Sequence, residues 1–316
     1  MSDVLVHVGY HKTGSNWLQR RLFSDPTTGF RWLGKKPRSH PVRRLVETRP
    51  LEFDASESRS AFEPLLAGAR AAGLVPVVSL ERLSGHPFSG GHDSKEIADR
   101  LRAVFVDARV LAVVREQRSI VLSVYKGYVA TGGTATLRQF LEPPTTRSAR
   151  VPAFDWRHFE YDRLIAYYRS VFGADRVLAL PFERFVADGR AFVAAIGEFA
   201  GRPIPDDVLG RLPYARPEKG TRSALAVGAV RSLNRLAPRG ELNPAPLVES
   251  AAAARLARAV QGSRLVRARP LRALAERSEA SLRATIAEWA GDRYAESNRR
   301  LSELLGVDLR AYGWTA

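Results

Sequence analysis

The stretch from Val4 to Gln19 constrains the fold of this chain more than any other, because it predicts a buried strand, a tight loop and a helix in direct succession. Its alternating valines predict the strand, Gly9 ends it, and the helix is expected from Ser15 or Asn16. A loop between a strand and a helix points several backbone N–H groups at one place, and Lys12 adds a full positive charge there. The stretch therefore predicts an anion-binding site.

A second cationic cluster follows another apolar strand about a hundred residues later. The nearly continuous apolar run 109–114 predicts a strand that is covered on both faces, and Arg115 stands at its carboxyl end. The helix expected next carries Ser123. A guanidinium fork and a hydroxyl that converge from a strand and a helix suit a terminal phosphate group. The alternative is structural: Arg115 pairs with a nearby carboxylate, and Ser123 is a buried helix serine.

Glu81 directly follows the compact apolar run 75–80, which predicts a further buried strand. A carboxylate at such a strand end, beside an anion site, is well placed to act as a general base toward an attacking hydroxyl. His11 adjoins the loop and is the second candidate base. Taken alone, Glu81 is equally compatible with a salt bridge to Arg82. Its position relative to the two anion motifs favours catalysis.

Together these motifs resemble those of sulfotransferases that use 3′-phosphoadenosine 5′-phosphosulfate (PAPS). The run from His11 to Gln19 is similar to the family's [PH]-K-[TS]-G-[TS]-[TNS]-x-L-Q loop. The cluster at Arg115 is similar to its R-x-P-x-x-x-x-x-S-x-Y motif, with Gln117 in place of the proline, and 79–84 is similar to its Ser-x-Glu-x-Leu-Ser-like run. The lysine precedes its glycine, so the loop is not the G-x-x-x-x-G-K-[ST] motif of nucleotide triphosphatases.

The resemblance implies transfer of a sulfuryl group from PAPS to an acceptor hydroxyl, in line and without a metal, with Glu81 as general base. Lys12 and the loop amides would stabilise the transferred group, which carries less negative charge than a γ-phosphoryl group. A basic loop near residue 219 would cover the adenosine 3′-phosphate. The expected catalytic residues are Lys12, Glu81 and His11, and the expected cofactor-binding residues are Lys12, Thr13, Gly14, Ser15, Asn16, Trp17, Arg115, Ser123, Lys219 and Gly220.

The fold expected from the resemblance is an α/β, P-loop NTPase-like three-layer fold, with a central parallel sheet flanked by helices. The 316 residues are expected to form one domain, with a core over about 3–236 and a helical C-terminal extension over 237–316. The run from Tyr294 is similar to the ends of bacterial members. Four loops without a recognisable motif are expected to shape the acceptor site, and the glycine-rich one among them to act as a lid: 26–50, 85–93, 132–155 and 238–280.

Composition narrows the classes of ligand and the cellular location that the chain is expected to have. The net charge of +16 suits an anionic cofactor, while nucleic acid is disfavoured because the basic residues are scattered and aromatic residues do not alternate with them. There is no cysteine, signal peptide or apolar run that would span a membrane, so a cytoplasmic protein is expected. The acceptor is expected to be a small molecule or glycan; peripheral membrane contact and the oligomeric state stay open. The rival functions are a P-loop-type nucleotide kinase and a non-catalytic module that binds a nucleotide or polyanion.

Overall fold

The computed structural model describes residues 4–34, 40–143, 153–214, 223–263 and 269–316. Five strands form one sheet: β1 Leu5–Gly9, β2 Phe30–Trp32, β3 Val75–Ser79, β4 Arg109–Val114 and β5 Val177–Pro181. The helices are α1 Ser15–Trp17, α2 Arg44–Glu47, α3 Ala55–Ala71, α4 Ser94–Val104, α5 Gln117–Ala130, α6 Leu137–Leu141, α7 Tyr161–Phe172, α8 Phe182–Ala187, α9 Gly189–Phe199, α10 Asp206–Arg211, α11 Ala224–Asn234, α12 Ala251–Gly262, α13 Arg269–Ala290 and α14 Ala295–Leu305.

The sheet is parallel throughout, in the order β2-β3-β1-β4-β5. The first strand in the chain is therefore the central one, with β3 on one side and β4 on the other. The register pairs Leu5 with Val77 in β3 and with Arg109 in β4. Because parallel strands all end at the same edge of a sheet, the segments that follow β1, β3 and β4 lie side by side there.

Each central strand is buried on both faces, which explains why it is apolar without interruption. Along β1, Val6 and Val8 join a cluster with α3, α4, α5 and α7, whereas Leu5 joins a second cluster with the helix that begins at Ser15 and with α9. Helices thus cover both faces of the sheet, and the predicted α/β, P-loop-like class with a central parallel sheet is confirmed.

One strand was not expected from the sequence. The segment 26–50 was predicted to be loop, but it contains the three-residue edge strand β2, which pairs with β3 after a turn at Gly29. Gly29 adopts φ 82°, a left-handed conformation that glycine accepts readily. Such a short edge strand gives too few residues for an alternating pattern to be recognised.

The C-terminal helices pack beside α5. Glu279 of α13 accepts a hydrogen bond from Lys126 of α5 at 2.5 Å, and Lys126 is almost completely buried. At the other end of α5, Gln117 exchanges hydrogen bonds with Asn298 of α14 at 2.6 and 3.2 Å. The C-terminal segment therefore supports the helix that carries Ser123. Among the described residues, no helix combines the length and apolarity needed to cross a lipid bilayer.

Candidate active site at the carboxyl edge of the sheet

The loop after β1 has an unusual backbone. Lys12 is the one non-glycine residue with a positive φ (71°) in the described part of the chain, and Gly14 follows with φ 83°. A lysine in this conformation costs on the order of 1 kcal/mol or more, and such costs are characteristic of functional sites. The hydroxyl of Thr13 donates to the carbonyl of Tyr10 at 2.6 Å, which closes the loop from inside. The Lys12 side chain is exposed, while Thr13 and Ser15 are buried.

Arg115 reaches this loop from the end of β4. Its Nη1 donates to the backbone carbonyl of Lys12 at 3.1 Å, although 103 residues separate the two. The guanidinium lies 5.2 Å from the ring centre of Phe182, at the start of α8. Burial lowers the pKa of Arg115, an effect that Glu183 partly opposes, and the group remains charged at neutral pH. The two cationic motifs therefore occupy one site.

The helix after Arg115 starts without the proline expected at this position. Glu116 caps it instead, with its carboxylate accepting from the backbone N–H groups of Arg118 and Ser119, both at 2.8 Å. Gln117 occupies the first helical position, where a proline would have been favourable, and its buried amide bonds to Phe159 and Asn298. The local turn is thus retained, and Gln117 adds a tie to the C-terminal segment that a proline could not make.

Lys12 also lies against α5. A Cβ atom added to Gly127 would be 3.5 Å from Lys12 Cε and 3.8 Å from its Nζ. Ser123 is half-buried and stands one helical turn before Gly127, so it shares that face of α5. The ammonium of Lys12, the guanidinium of Arg115 and the face that carries Ser123 therefore surround one region above β1 and β4.

Glu81 lies on the other side of β1. It begins a 3₁₀ turn, Glu81–Ser84, directly after β3, and its side chain is half-buried. The expected alternative, a salt bridge with Arg82, is not formed, because Arg82 pairs with Asp93. The Ser84 hydroxyl donates to the carbonyl of Glu81 at 3.1 Å. The same hydroxyl lies 3.5 Å from the carbonyl of Gly9, so the turn that begins at Glu81 lies against the end of β1.

Three histidines surround the same edge and are neutral. The ring of His11 lies 5.4 Å from that of His86, and its Nδ1 is buried without a partner among the described residues. Burial is the main cause that lowers the pKa of His11 to about 3, and the charges of His86, His158 and Lys12 add to it. Burial likewise lowers the pKa of His158 to about 3, and it also lowers the pKa of His86. Imidazoles so far below their usual pKa are poor proton acceptors at neutral pH, which weakens His11 as a base.

Residues 94–206, from the first turn of α4 to α10, match the family model described as "Sulfotransferase family". This span includes β4, Arg115 and Ser123. Over this span the chain is similar to the sulfotransferase family. No curated protein sequence matches it.

A solved structure of a sulfotransferase shares the fold, and two further ones match with TM-scores below 0.5. A sulfotransferase from Alicyclobacillus acidocaldarius is 16% identical, with 99% of each chain covered and a TM-score of 0.56. A mouse sulfotransferase complexed with PAP is 14% identical, over 96% of this chain and 89% of that one, with a TM-score of 0.41. The sulfotransferase domain from the curacin biosynthetic pathway is 14% identical, over 89% and 97% of the two chains, with a TM-score of 0.37.

Three of the expected cofactor-binding residues are not seen at the edge of the sheet. Trp17 is 4% exposed; its indole stacks on Tyr214 and donates to the carbonyl of Pro213 at 3.2 Å. Its surroundings favour packing rather than contact with a ligand. Lys219 and Gly220 lie outside the described residues.

The glycine-rich segment 85–93 is built into the structure and does not have the features of a free lid. A Cβ on Gly91 would be 2.1 Å from the His158 ring, and one on Gly90 would be 2.7 Å from the side chain of Asp155. Residues Pro87–Ser89 form a 3₁₀ turn whose first amides are capped by His86. Close packing, rather than the flexibility expected from the sequence, accounts for these glycines.

Two site residues were missed by the sequence reasoning. Phe182 lies between Gly14 and the Arg115 guanidinium. A Cβ atom added to Gly14 would be 3.0 Å from the Phe182 ring, and the guanidinium is 5.2 Å from the centre of that ring. His7 lies in β1 beneath the loop, with Nδ1 2.7 Å from the Ser79 hydroxyl and Nε2 without a partner among the described residues. A polar residue inside an otherwise apolar strand was a signal that could have identified His7.

Among the described residues, no group of three or more histidine, aspartate or glutamate side chains is arranged to hold a metal ion. Charged groups follow three neighbouring strands at this edge of the sheet: Lys12 follows the central strand β1, Arg115 follows β4 on one side, and Glu81 follows β3 on the other.

Proposed function

We propose that this protein moves a sulfuryl group from PAPS to an acceptor hydroxyl, by in-line transfer within the site above β1. The single observation that carries the proposal is the 3.1 Å hydrogen bond from Arg115 to the Lys12 carbonyl. It joins the loop suited to a 5′-phosphosulfate and the strand end suited to a 3′-phosphate. A donor with phosphate groups at both ends of an adenosine requires two such cationic groups in one cleft.

In this mechanism Lys12 and the amides of Thr13, Gly14, Ser15 and Asn16 hold the 5′-phosphosulfate. As the S–O bond to the donor breaks, negative charge develops on the bridging phosphate oxygen, and the Lys12 ammonium stabilises it. Arg115 and Ser123 hold the 3′-phosphate. Lys219 and Gly220 are proposed to cover it, as the family resemblance implies.

Glu81 takes the proton from the acceptor hydroxyl as its oxygen attacks sulfur. The support for this choice over His11 is electrostatic: a carboxylate is charged at neutral pH, whereas burial lowers the pKa of His11 to about 3. His11 then contributes a neutral wall to the site. The products are the sulfated acceptor and 3′-phosphoadenosine 5′-phosphate (PAP), and Glu81 releases its proton to solvent.

We further propose that residues 1–316 act as one domain, with 237–316 as its helical extension. The support is the contact of this extension with both ends of α5, through Glu279 and Asn298. Removing it would expose the buried Lys126 and take away the hydrogen bonds between Gln117 and Asn298, so a chain ending near residue 236 is expected to lose PAP binding together with stability.

Calorimetry with PAP, ATP and GTP in parallel tests the function. PAP is expected to bind without added Mg²⁺, and more tightly than either triphosphate. Transfer of label from PAPS to an acceptor then establishes catalysis. Tighter binding of ATP or GTP, dependent on Mg²⁺, would favour a kinase and overturn the proposal. PAP binding without transfer to any acceptor in a broad screen would favour a non-catalytic module.

A further inference from the structure

A separate cavity of about 310 Å³ opens beside the candidate active site. It is lined by His86 and Phe88 from the turn after β3, by Thr131 from the end of α5, and by Ala237, Pro238 and residues 240–243 from the segment after α11. Its volume is at the lower end of the range for small-ligand sites. Most of these residues lie in the loops 85–93 and 238–280, which have no recognisable motif and were expected to shape the acceptor site.

Two contacts place this cavity next to the transferred group of the proposed mechanism. His86 is in ring contact with His11, which adjoins Lys12. Thr131 stands one helical turn, or about 6 Å, beyond Gly127, against which the Lys12 side chain lies. A ligand in the cavity can therefore present a hydroxyl toward Lys12 and Glu81 without entering the region between Lys12 and Arg115.

Hydrogen bonds fix the backbone of the segment 237–243, which supplies one wall of the cavity. Gly240 and Asn243 exchange two backbone hydrogen bonds of 3.1 Å, which close the turn that carries Glu241. The buried Asn243 amide donates to the carbonyl of Asn234, whose own amide donates to the carbonyls of Val129 and Gly133 at the end of α5. Glu241 is therefore fixed to the same helix that borders the active site.

The charge of the cavity is opposite to that of the molecule. Glu241 is the only formally charged side chain among the described lining residues, in a chain whose net charge is +16. His86 adds no positive charge, because burial and the charge of Arg82 lower its pKa, an effect that Glu241 and Asp93 only partly oppose. Its Nδ1 accepts the Phe88 N–H at 3.2 Å, so the neutral ring keeps Nε2–H as a donor. Phe88 and Leu242 supply apolar surface.

We propose that this cavity binds the acceptor, and that it selects a small hydroxylated amine: an apolar or aromatic body against Phe88, with a cationic group paired with Glu241. This inference rests on the proposed function, since only sulfuryl transfer makes the cavity an acceptor site. It disfavours anionic acceptors as substrates, because the cavity would place their charge beside Glu241, the charged side chain of the described lining.

The test uses the 316-residue protein saturated with PAP and three probes that share a 4-hydroxyphenylethyl group: tyramine, 4-ethylphenol and 3-(4-hydroxyphenyl)propanoate, which carry a positive, no and a negative charge. Tyramine is expected to bind about three- to fivefold more tightly than 4-ethylphenol, the effect of one partly exposed ion pair, and the propanoate more weakly than both. In Glu241→Gln the three affinities should converge, and in Glu241→Lys their order should reverse. Glu198→Gln, at an exposed position on α9 away from the cavity, is the matched control and should preserve the preference for tyramine.

The outcomes separate the two proposals. If PAP does not bind, the proposed function fails. If PAP binds normally to the wild type and to both Glu241 variants, but the order of the probes is unchanged by the substitutions, or no probe binds, the cavity is not a cation-selective acceptor site and this inference alone is overturned. Unchanged PAP affinity and circular dichroism in the variants show that loss of the preference is not loss of the fold.

Discussion

The two halves of the carboxyl edge of the sheet differ in charge. Between β1 and β4 the groups are cationic: Lys12 and Arg115 are linked through the loop backbone. Between β1 and β3 lie Glu81, the half-buried histidines His11 and His86, and the cavity that contains Glu241; the one cation described here, Arg82, is paired with Asp93. β1 is the boundary because it is the central strand.

This difference suggests how one short loop can serve two ligands. An anionic donor is attracted to one half, and a neutral or cationic acceptor to the other, so neither competes for the other's site. The reacting atoms would meet above the loop itself, between Lys12 and Glu81. The predictions below test this division, beginning with the largest expected effect.

Glu81→Gln should lower kcat about 10²- to 10⁴-fold while leaving the affinity for PAP unchanged, because the amide cannot accept the proton of the acceptor hydroxyl. Labelled-donor assays and calorimetry measure the two quantities. Glu96→Gln, on α4 and outside the site, is a matched control that should keep full activity. Equal loss of PAP affinity and rate would contradict the division, because Glu81 would then belong to the donor half.

Lys12→Ala should lower kcat about 10²- to 10³-fold, because the charge on the leaving phosphate oxygen loses its nearest cation. PAP should also bind more weakly. Lys95→Ala provides the comparison, since Lys95 is an exposed lysine whose partner Asp99 lies on the same helix. If Lys12→Ala lost only affinity and kept its rate under saturating donor, Lys12 would bind the donor without stabilising the transition state.

Arg115→Ala should weaken PAP binding about ten- to hundredfold, the effect of losing hydrogen bonds from a charged donor. The substitution also removes the tie to the Lys12 carbonyl, so loss of affinity alone does not identify the 3′-phosphate contact. Adenosine 5′-monophosphate, which lacks the 3′-phosphate, resolves this point. The wild type should prefer PAP over it, and the variant should lose that preference. A preference that survived the substitution would assign the 3′-phosphate to another residue.

The neutral histidines predict that stability decreases as the pH falls. His7, His11 and His158 each have a pKa lowered by burial to about 3, so below about pH 6.5 the unfolded chain binds protons that the folded chain does not. Their stabilising contribution is present above pH 6.5 and is lost as the pH falls toward 3, at up to about 1.4 kcal/mol per pH unit for each ring. Urea unfolding between pH 5 and 8 measures the slope. His158→Phe should make it shallower; an unchanged slope would mean that His158 is charged in the folded protein.

Gly127→Ala should have the smallest effect. The new methyl group would meet Lys12 Cε at 3.5 Å, an ordinary contact, and alanine favours the helix by less than about 1 kcal/mol. Activity should stay within about twofold of the wild type, with a slightly higher melting temperature. Gly127→Leu serves as the contrasting variant, because its larger side chain would displace Lys12 and lower the rate. A tenfold loss in the alanine variant would mean that Lys12 moves across this position during the reaction.

Local patterns were sufficient to predict the fold class and the two cationic motifs. The apolar runs of β1, β3 and β4 identified buried parallel strands, because strands covered on both faces have no polar side to interrupt the run. The same patterns did not predict β2, which is too short, or the packed state of 85–93, where the reason for the glycines is a neighbouring ring 60 or more residues away.

Of the candidate site, the sequence by itself determined which residues carry the chemistry: Lys12 in a loop that must turn tightly, Glu81 and Arg115 at strand ends. Only the tertiary structure decided how they relate, because the order of strands in the sheet is a property of long-range pairing. Placing β1 between β3 and β4 brings Arg115 to the Lys12 carbonyl and leaves Glu81 on the opposite side. The neutrality of His11 and His86 and the position of Glu241 are likewise tertiary, since burial and neighbouring charges, rather than residue type, set them.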